Sequence, residues 1–286
     1  MKNILVATDF SVCAINAMNM GLALAEYFDA TIHYLTTIDD NRNGQALDFP
    51  LITKSGVKKE FIENVNVLFE KWKKEARVRN VKIKTICTLG EILPILKEYV
   101  DRNQIDFVVM GSHGHSAVKG FYIGSNCQKV VRTLKVPVFI VKDQPIKYEF
   151  KNVVYASNFN EEEKLSFQKF LQLIQKFKPN VIHLLAVNTL NNFAKSTEYM
   201  ERNLDKFAKL CKFTRCKKHI YPDLFVEAGI RNFSEKVKAD LIVISNHNRH
   251  QIKRTFYTST VEALVQNSNL PVLSIDFSEE NIIIGS

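Results

Sequence analysis

The chain has 286 residues, of which 46% are hydrophobic and 24% charged, the balance of a soluble globular protein with length for two ordinary domains and a real core in each. No apolar run approaches the roughly 18 residues of a membrane span, and the opening MKNILVATDF carries no signal-peptide pattern because an acid arrives at Asp9, so a cytoplasmic protein with no membrane partner is expected. The net charge of +9 divides into +5 for residues 1–148 and +4 for the remainder; nucleic-acid binders concentrate their charge in a patch or stripe, and no such partner is expected here.

In chain order, apolar runs of strand length lie near residues 3–8, 32–37, 82–87, 105–110 and 136–141, and helix-period segments at 12–28, 58–78, 91–102 and 125–134. The second helix is the clearest, with Phe61, Val65, Leu68 and Trp72 spaced four, three and four apart. DFVVM and VPVFIV are apolar on both faces, which predicts a parallel sheet covered by helices on both sides. A long polar loop, residues 39–56, separates the second strand from the second helix.

The same order then recurs. KNILVATDF (2–10) parallels KNVVYASNF (151–159) at an offset of 149, while DFVVMGSHGH (106–115) parallels DLIVISNHNR (240–249) and KVPVFIVKD (135–143) parallels NLPVLSIDF (269–277) at an offset of 134. The second copy has lost about 15 residues in between, and its shorter connection after VIHLLAVN accounts for the loss. Its strands are expected near 152–157, 181–187, 214–220, 240–245 and 271–276. The boundary is KDQPIKYEF around Pro145, which gives domains of residues 1–146 and 147–286, joined too closely to wander far.

Five cysteines (Cys13, Cys87, Cys127, Cys211 and Cys216) include no C-x-x-C pair, so reduced and mostly buried thiols are expected. His113 and His115, with His247 and His250 in the equivalent loop, lack the further Cys or carboxylate ligands of a metal site, and no metal is assigned to them.

The stretch GSHGHSAVKGFYIGSN (111–126) bears more chemistry. It follows the fourth strand and precedes a helix, and in a doubly wound sheet ligands sit beyond the carboxyl ends of the strands where the strand order reverses. With the first and fourth strands adjacent there, Asp9 and Gly111 share one crevice. Glycines allow positive φ and close approach of backbone to ligand, and a helix start attracts an anion. Ser125 is the expected N-cap or a phosphate donor. No Gly-Lys-Ser/Thr follows the glycines, so this is not a Walker loop; a plain turn and a phosphate seat both remain open on the glycines alone.

The spacing Gly111, two residues, Gly114, nine residues, Gly124-Ser125-Asn126, together with ILVATDFS and the V-P-V and L-P-V final strands, resembles the universal stress protein family in a tandem two-domain form covering nearly the whole chain. The resemblance implies an α/β fold of two tandem doubly wound domains, each a five-stranded parallel sheet (order 3-2-1-4-5) flanked by helices. It implies a bound adenine nucleotide, ATP or else AMP or ADP, with or without Mg2+. Asp9 would lie beside the ribose or a phosphate-bound metal, and Thr37 and Ile38 would line the adenine pocket. Met110, Gly111, His113, Gly114, Gly124, Ser125 and Asn126 would make up the rest of the nucleotide site. Members commonly dimerise through the last strand, so the resemblance also implies an internal pseudo-dimer of the two copies and a homodimer beyond it.

The second copy departs from this pattern, with Ser245, Asn248 and Thr258 at the glycine positions and Asn158 for Asp9; it is not expected to bind ATP in the family's manner. A regulatory or sensor protein of the stress response with one competent site is the expected function. The alternatives are a weak ATPase or nucleotide-transfer enzyme in the same crevice, and an interaction scaffold whose pockets bind nothing. Turnover needs a positioned base, and His113 and Asp9 show no evident partner in the sequence.

Overall fold

The computed structural model describes residues 1–38, 56–114, 124–143, 149–189, 196–245 and 260–275; the long polar loop and the boundary around Pro145 lie outside them. By contact the chain divides into one unit of Met1–Thr133 with Val141–Ile146 and a second of Leu134–Ile140 with Lys147–Ser286.

The first unit contains β1 (Asn3–Ala7), α1 (Val12–Phe28), β2 (Thr31–Ile38), α2 (Gly56–Val78), β3 (Ile83–Leu89), α3 (Ile92–Arg102), β4 (Phe107–Gly111) and α4 (Ser125–Thr133). Its strands run parallel in the order β3-β2-β1-β4. The order reverses between β1 and β4, where Ala7 stands opposite Met110, and that junction is the switch point expected from the alternating pattern. Ile4, Leu5 and Val6 are wholly buried, as a strand covered on both faces must be.

Helix α1 begins at Ser11, whose side chain accepts from the Ala14 N–H at 3.2 Å, and ends at Asp29 in the left-handed region, with φ 50°. Asp tolerates that conformation better than most residues. The buried stripe of α2 is Val65, Phe69, Trp72 and Ala76, so the inward face runs through Phe69; Leu68, which the sequence spacing selects, sits half-buried at its flank. Phe69 packs on Phe10 with ring centroids 5.4 Å apart, and Trp72 meets Tyr34 edge-on at 5.6 Å.

The second unit repeats the plan with β6 (Asn152–Ala156), α5 (Lys164–Gln175), β7 (Val181–Thr189), α6 (Thr197–Ala208), β8 (Arg215–Asp223), α7 (Val226–Lys236), β9 (Leu241–Ser245), α8 (260–267) and β10 (Val272–Ile275). Its parallel order β8-β7-β6-β9-β10 is the expected 3-2-1-4-5. Val138–Ile140 of β5 (Val138–Val141) joins it antiparallel to β10, with Phe139 opposite Leu273.

The repeated acid before each fourth strand now has a structural reason. Asp106 Oδ2 accepts the N–H groups of Lys2 and Asn3 at 2.6 and 3.0 Å, and Asp240 Oδ2 accepts those of Lys151 and Asn152 at 2.9 and 2.7 Å. Each carboxylate fixes the start of its first strand beside the fourth.

The expectation of reduced thiols fails for two cysteines. Cys211, just past α6, and Cys216, near the start of β8, are joined in a disulfide with Cα atoms 6.2 Å apart, a distance within the range that a bridge spans. A reversing chain brings together two residues that their sequence spacing did not flag. Alkylation of the unreduced, denatured protein should therefore label three cysteines, Cys13, Cys87 and Cys127, instead of five. Reduction should cost about 2 kcal/mol of stability, the entropy of so short a loop.

Among the described residues, no helix is long and apolar enough to cross a membrane.

Candidate nucleotide site

The turn that leaves β1 is held locally. Thr8 N–H donates to Leu35 O on β2 at 2.9 Å, Thr8 Oγ1 accepts the Phe10 N–H at 3.0 Å, and Asp9 Oδ1 accepts the Ser11 N–H at 3.1 Å. Phe10 sits in the left-handed region at φ 61°, and its repeat equivalent Phe159 does the same at φ 54°. A bulky residue there is strained. Burial of each ring against aromatic neighbours, Phe69 for Phe10 and Tyr155 and Phe207 for Phe159, offsets that strain and turns the chain sharply into the helix.

The glycines of the first copy meet this turn by close approach. A Cβ on Gly114 would lie 2.1 Å from Asp9 Oδ2, so the Asp9 carboxylate rests directly on the Gly114 backbone. A Cβ on Gly124 would lie 3.2 Å from His113 Cα and 3.5 Å from Ser112 O, and the Gly124 N–H donates to Ser112 O at 2.8 Å. The two ends of the glycine loop thus close on each other beside Asp9. Gly111 serves helix packing instead, since its Cβ would lie 3.0 Å from Cys13 C and 3.1 Å from Ala14 N; the bare backbone admits the first turn of α1. Neither Gly111 nor Gly114 has positive φ, so of the two properties expected of the glycines it is close approach of bare backbone that these two supply.

The remaining predicted residues divide by position. Thr37 and Ile38 end β2 half-buried, with Ile38 O accepting from the Gly90 N–H at 2.8 Å. Met110 is buried inside β4. Ser125, exposed, and Asn126, half-buried, form the first turn of α4. Gly124 O accepts the first intrahelical bond, from Gln128 N–H at 3.1 Å, so Gly124, not Ser125, holds the N-cap position.

His113 does have partners. Its Nδ1 is 3.0 Å from Ser112 Oγ, and its Nε2 is 3.0 Å from an oxygen of Asp143. Behind them lies Cys13, whose thiol donates to Val141 O at 3.0 Å and lies 3.4 Å from Ser112 Oγ. Burial pushes the Cys13 thiol up from its ordinary value, and burial lowers Lys142 despite the opposing pull of Cys13, Cys127 and Asp143. Cys13 and Asp143 escaped the sequence reading because they come from segments distant from the glycine loop and belong to no motif, and Ser112, within the loop, has a common residue type that nothing marked out.

In the second copy Ser245 stands where Gly111 does, and Asn158, exposed, where Asp9 does. The helix start also differs: a 3-10 turn, Glu161–Glu163, precedes α5. Buried Glu163 accepts from Ser157 Oγ and the Asn160 N–H, both at 2.8 Å. Asn248 and Thr258 lie outside the described residues. A separate cleft of about 720 Å³ lies between α6 and β8, lined by residues that include Asn188, Glu201, Asp205, Lys218 and His219.

The profile of the universal stress protein family matches residues 1–142 and 223–275, covering both ends of the repeat. The chain belongs to the universal stress protein family. A universal stress protein of Methanocaldococcus jannaschii, MJ0531, is 24% identical over 148 residues, 49% of this chain and 82% of that protein. A second from the same organism, MJ0577, is 26% identical over 153 residues, 49% of this chain and 94% of that protein. About half of this universal stress protein thus matches most of each relative, as a tandem arrangement requires. The crystal structure of a universal stress protein from Archaeoglobus fulgidus DSM 4304 superposes with a TM-score of 0.75 at 19% identity, covering 96% of this chain and 98% of that one, and it supports the two-copy fold over the full length.

Proposed function

We propose that the first copy binds one adenine nucleotide, ATP or else ADP or AMP, with or without Mg2+, and that this binding is a regulatory or sensor output in the stress response. One observation carries the reading: the bare backbone of Gly114 lies against the Asp9 carboxylate and that of Gly124 against His113 and Ser112, close approaches that a Cβ at either position would obstruct. Free N–H groups at a helix start are a ready seat for phosphate, and Ser125 and Asn126 of α4 stand at that start. Asp9 is then the group for ribose or a phosphate-bound cation, and Thr37 and Ile38 flank the base. Met110 and Gly111 end β4 where the loop begins.

Binding is favoured over turnover by the environment of His113. Both of its ring nitrogens already have partners, Ser112 and Asp143, so it holds the loop in shape and is poorly placed to activate a water. In the second copy a side chain replaces the first glycine and an amide replaces Asp9, which supports a single nucleotide per chain.

Equilibrium dialysis with ATP, ADP and AMP, each with and without Mg2+, should give one bound nucleotide per chain. Two equivalents, or none, would sink this reading. Steady phosphate release lost in Asp9→Ala would transfer it to the enzyme alternative.

A further inference from the structure

We infer that Cys13, His113 and Asp143 form a binding site for a zinc-class divalent cation, behind the glycine loop of the first unit. One donor atom from each residue lies within 4.8 Å of the other two. Thiolate, imidazole and carboxylate are the three ligand types zinc accepts in proteins, and three protein ligands with one open position is the pattern of its open sites.

The geometry asks for little movement. Zn–N and Zn–O bonds of tetrahedral zinc place two such donors about 3.3 Å apart, and a thiolate and an imidazole about 3.6 Å apart. His113 Nε2 and Asp143 Oδ2 already stand 3.0 Å apart, so a cation inserted between them exchanges a hydrogen bond for two coordinate bonds. Cys13 Sγ closes by at most about 1.2 Å, from 4.8 Å to about 3.6 Å, to complete the set.

Each ligand is held from behind. Cys13 sits in the first turn of α1, against Gly111. His113 Nδ1 is engaged by Ser112 Oγ at 3.0 Å, which leaves Nε2 as the ligating atom in the way that outer partners orient metal-binding histidines. The backbone before and at Asp143 is anchored at three points: Val141 O accepts from Ser112 N–H at 2.9 Å, and Asn16 Nδ2 donates to Lys142 O and Asp143 O at 3.0 and 2.8 Å.

The test uses the full chain and Co2+ as a spectroscopic stand-in for zinc, without nucleotide, so that it is independent of the nucleotide reading. Titration should bring up a near-ultraviolet thiolate-to-cobalt charge-transfer band together with the visible bands of four-coordinate cobalt, saturating at one equivalent and reversed by Zn2+. Cys13→Ser should abolish the charge-transfer band, whereas Cys127→Ser and Cys87→Ser should keep it. Asp143→Asn should weaken binding by more than about tenfold, and Ser112→Ala by about tenfold through loss of imidazole orientation. Absence of the band in the folded wild-type chain, or its survival in Cys13→Ser, overturns the inference. Circular dichroism of each variant separates loss of the site from loss of the fold.

Discussion

Gly114→Ala should lower adenine-nucleotide affinity by more than about tenfold, or about 1.4 kcal/mol, and leave thermal stability nearly unchanged. Gly111→Ala should do the reverse. The added methyl at Gly114 meets only the Asp9 carboxylate, 2.1 Å away, the free end of a side chain that can swing aside. It therefore displaces the Asp9 carboxylate from its place in the proposed crevice at small cost to the fold. At Gly111 the methyl meets the backbone of Cys13 and Ala14 at 3.0 and 3.1 Å, and neither can move without shifting α1. Overpacking of this kind costs about 1–3 kcal/mol, or several degrees of Tm for a chain of this size. Differential scanning fluorimetry and calorimetric titration on the same samples distinguish the two. Equal effects of both substitutions on binding would remove Gly114 from its assigned role.

The second copy has already made the Gly111 replacement, and its structure shows an accompanying change. Where Ser245 replaces glycine, the element after the first strand opens with a 3-10 turn before the α-helix begins at Lys164. In the first copy, α1 is helical from Val12, the repeat equivalent of Glu161.

The alternation of strand and helix was legible because several strands, such as DFVVM and VPVFIV, are apolar on both faces and the helices carry a 3.6-residue period; both are local signals. The loop Gly111 to Asn126 was legible as a special turn from its glycines, but what each glycine does was not. Whether a glycine faces a carboxylate, as Gly114 does, or a helix backbone, as Gly111 does, depends on which distant segment folds against it. The same limit hid Asp143, which reaches His113 only because β5 ends beside β4. It also hid the Cys211–Cys216 bridge, and it made Leu68 look like core when Phe69 is the buried residue. No propensity would place Phe10 or Phe159 at positive φ; only the buried aromatic cluster around each sustains that conformation.

A buried histidine recurs in both copies, and its wiring emerges only in three dimensions. His33 on β2 and His183 on β7 occupy equivalent places, and both are buried. Each points Nε2 at the Oδ1 of an asparagine on the first strand of its copy, Asn3 at 3.3 Å and Asn152 at 2.8 Å. Those asparagines donate their Nδ2 hydrogens to backbone carbonyls, Asn103 and Gln104 in one copy and Val237 and Lys238 in the other. Their Oδ1 atoms are therefore acceptors, and each histidine carries its proton on Nε2. Nδ1 must then accept. In the first copy it accepts from Tyr99 Oη–H at 2.8 Å, and in the second from His219 Nε2–H at 3.0 Å. Phe233 occupies the repeat position of Tyr99 and packs on His219 with ring centroids 4.7 Å apart. The lost hydroxyl has been replaced by an imidazole from the neighbouring strand.

This wiring keeps both histidines neutral and predicts a loss of stability in mild acid. Burial holds His33 and His183 down to about 4 from 6.5, with Lys84 adding to the effect in the first copy and His219 and Lys217 in the second; His219 is lowered as well. A base whose pKa is depressed by folding binds its proton more readily when unfolded. Stability is therefore full above pH 6.5 and falls as pH drops from there towards 4, where the folded protein itself takes up the proton. The loss is on the order of 3 kcal/mol for each fully buried histidine. The second copy should yield first. Tyr99 can rotate its hydroxyl to accept from a protonated His33, whereas a protonated His183 requires His219 to move its own proton to Nδ1 before its Nε2 can accept. Thermal unfolding followed between about pH 7 and about pH 4.5 should show Tm falling more steeply for the wild type than for His183→Gln, with His33→Gln having the smaller effect on that slope. Parallel pH profiles for all three proteins would show that these histidines do not set acid stability.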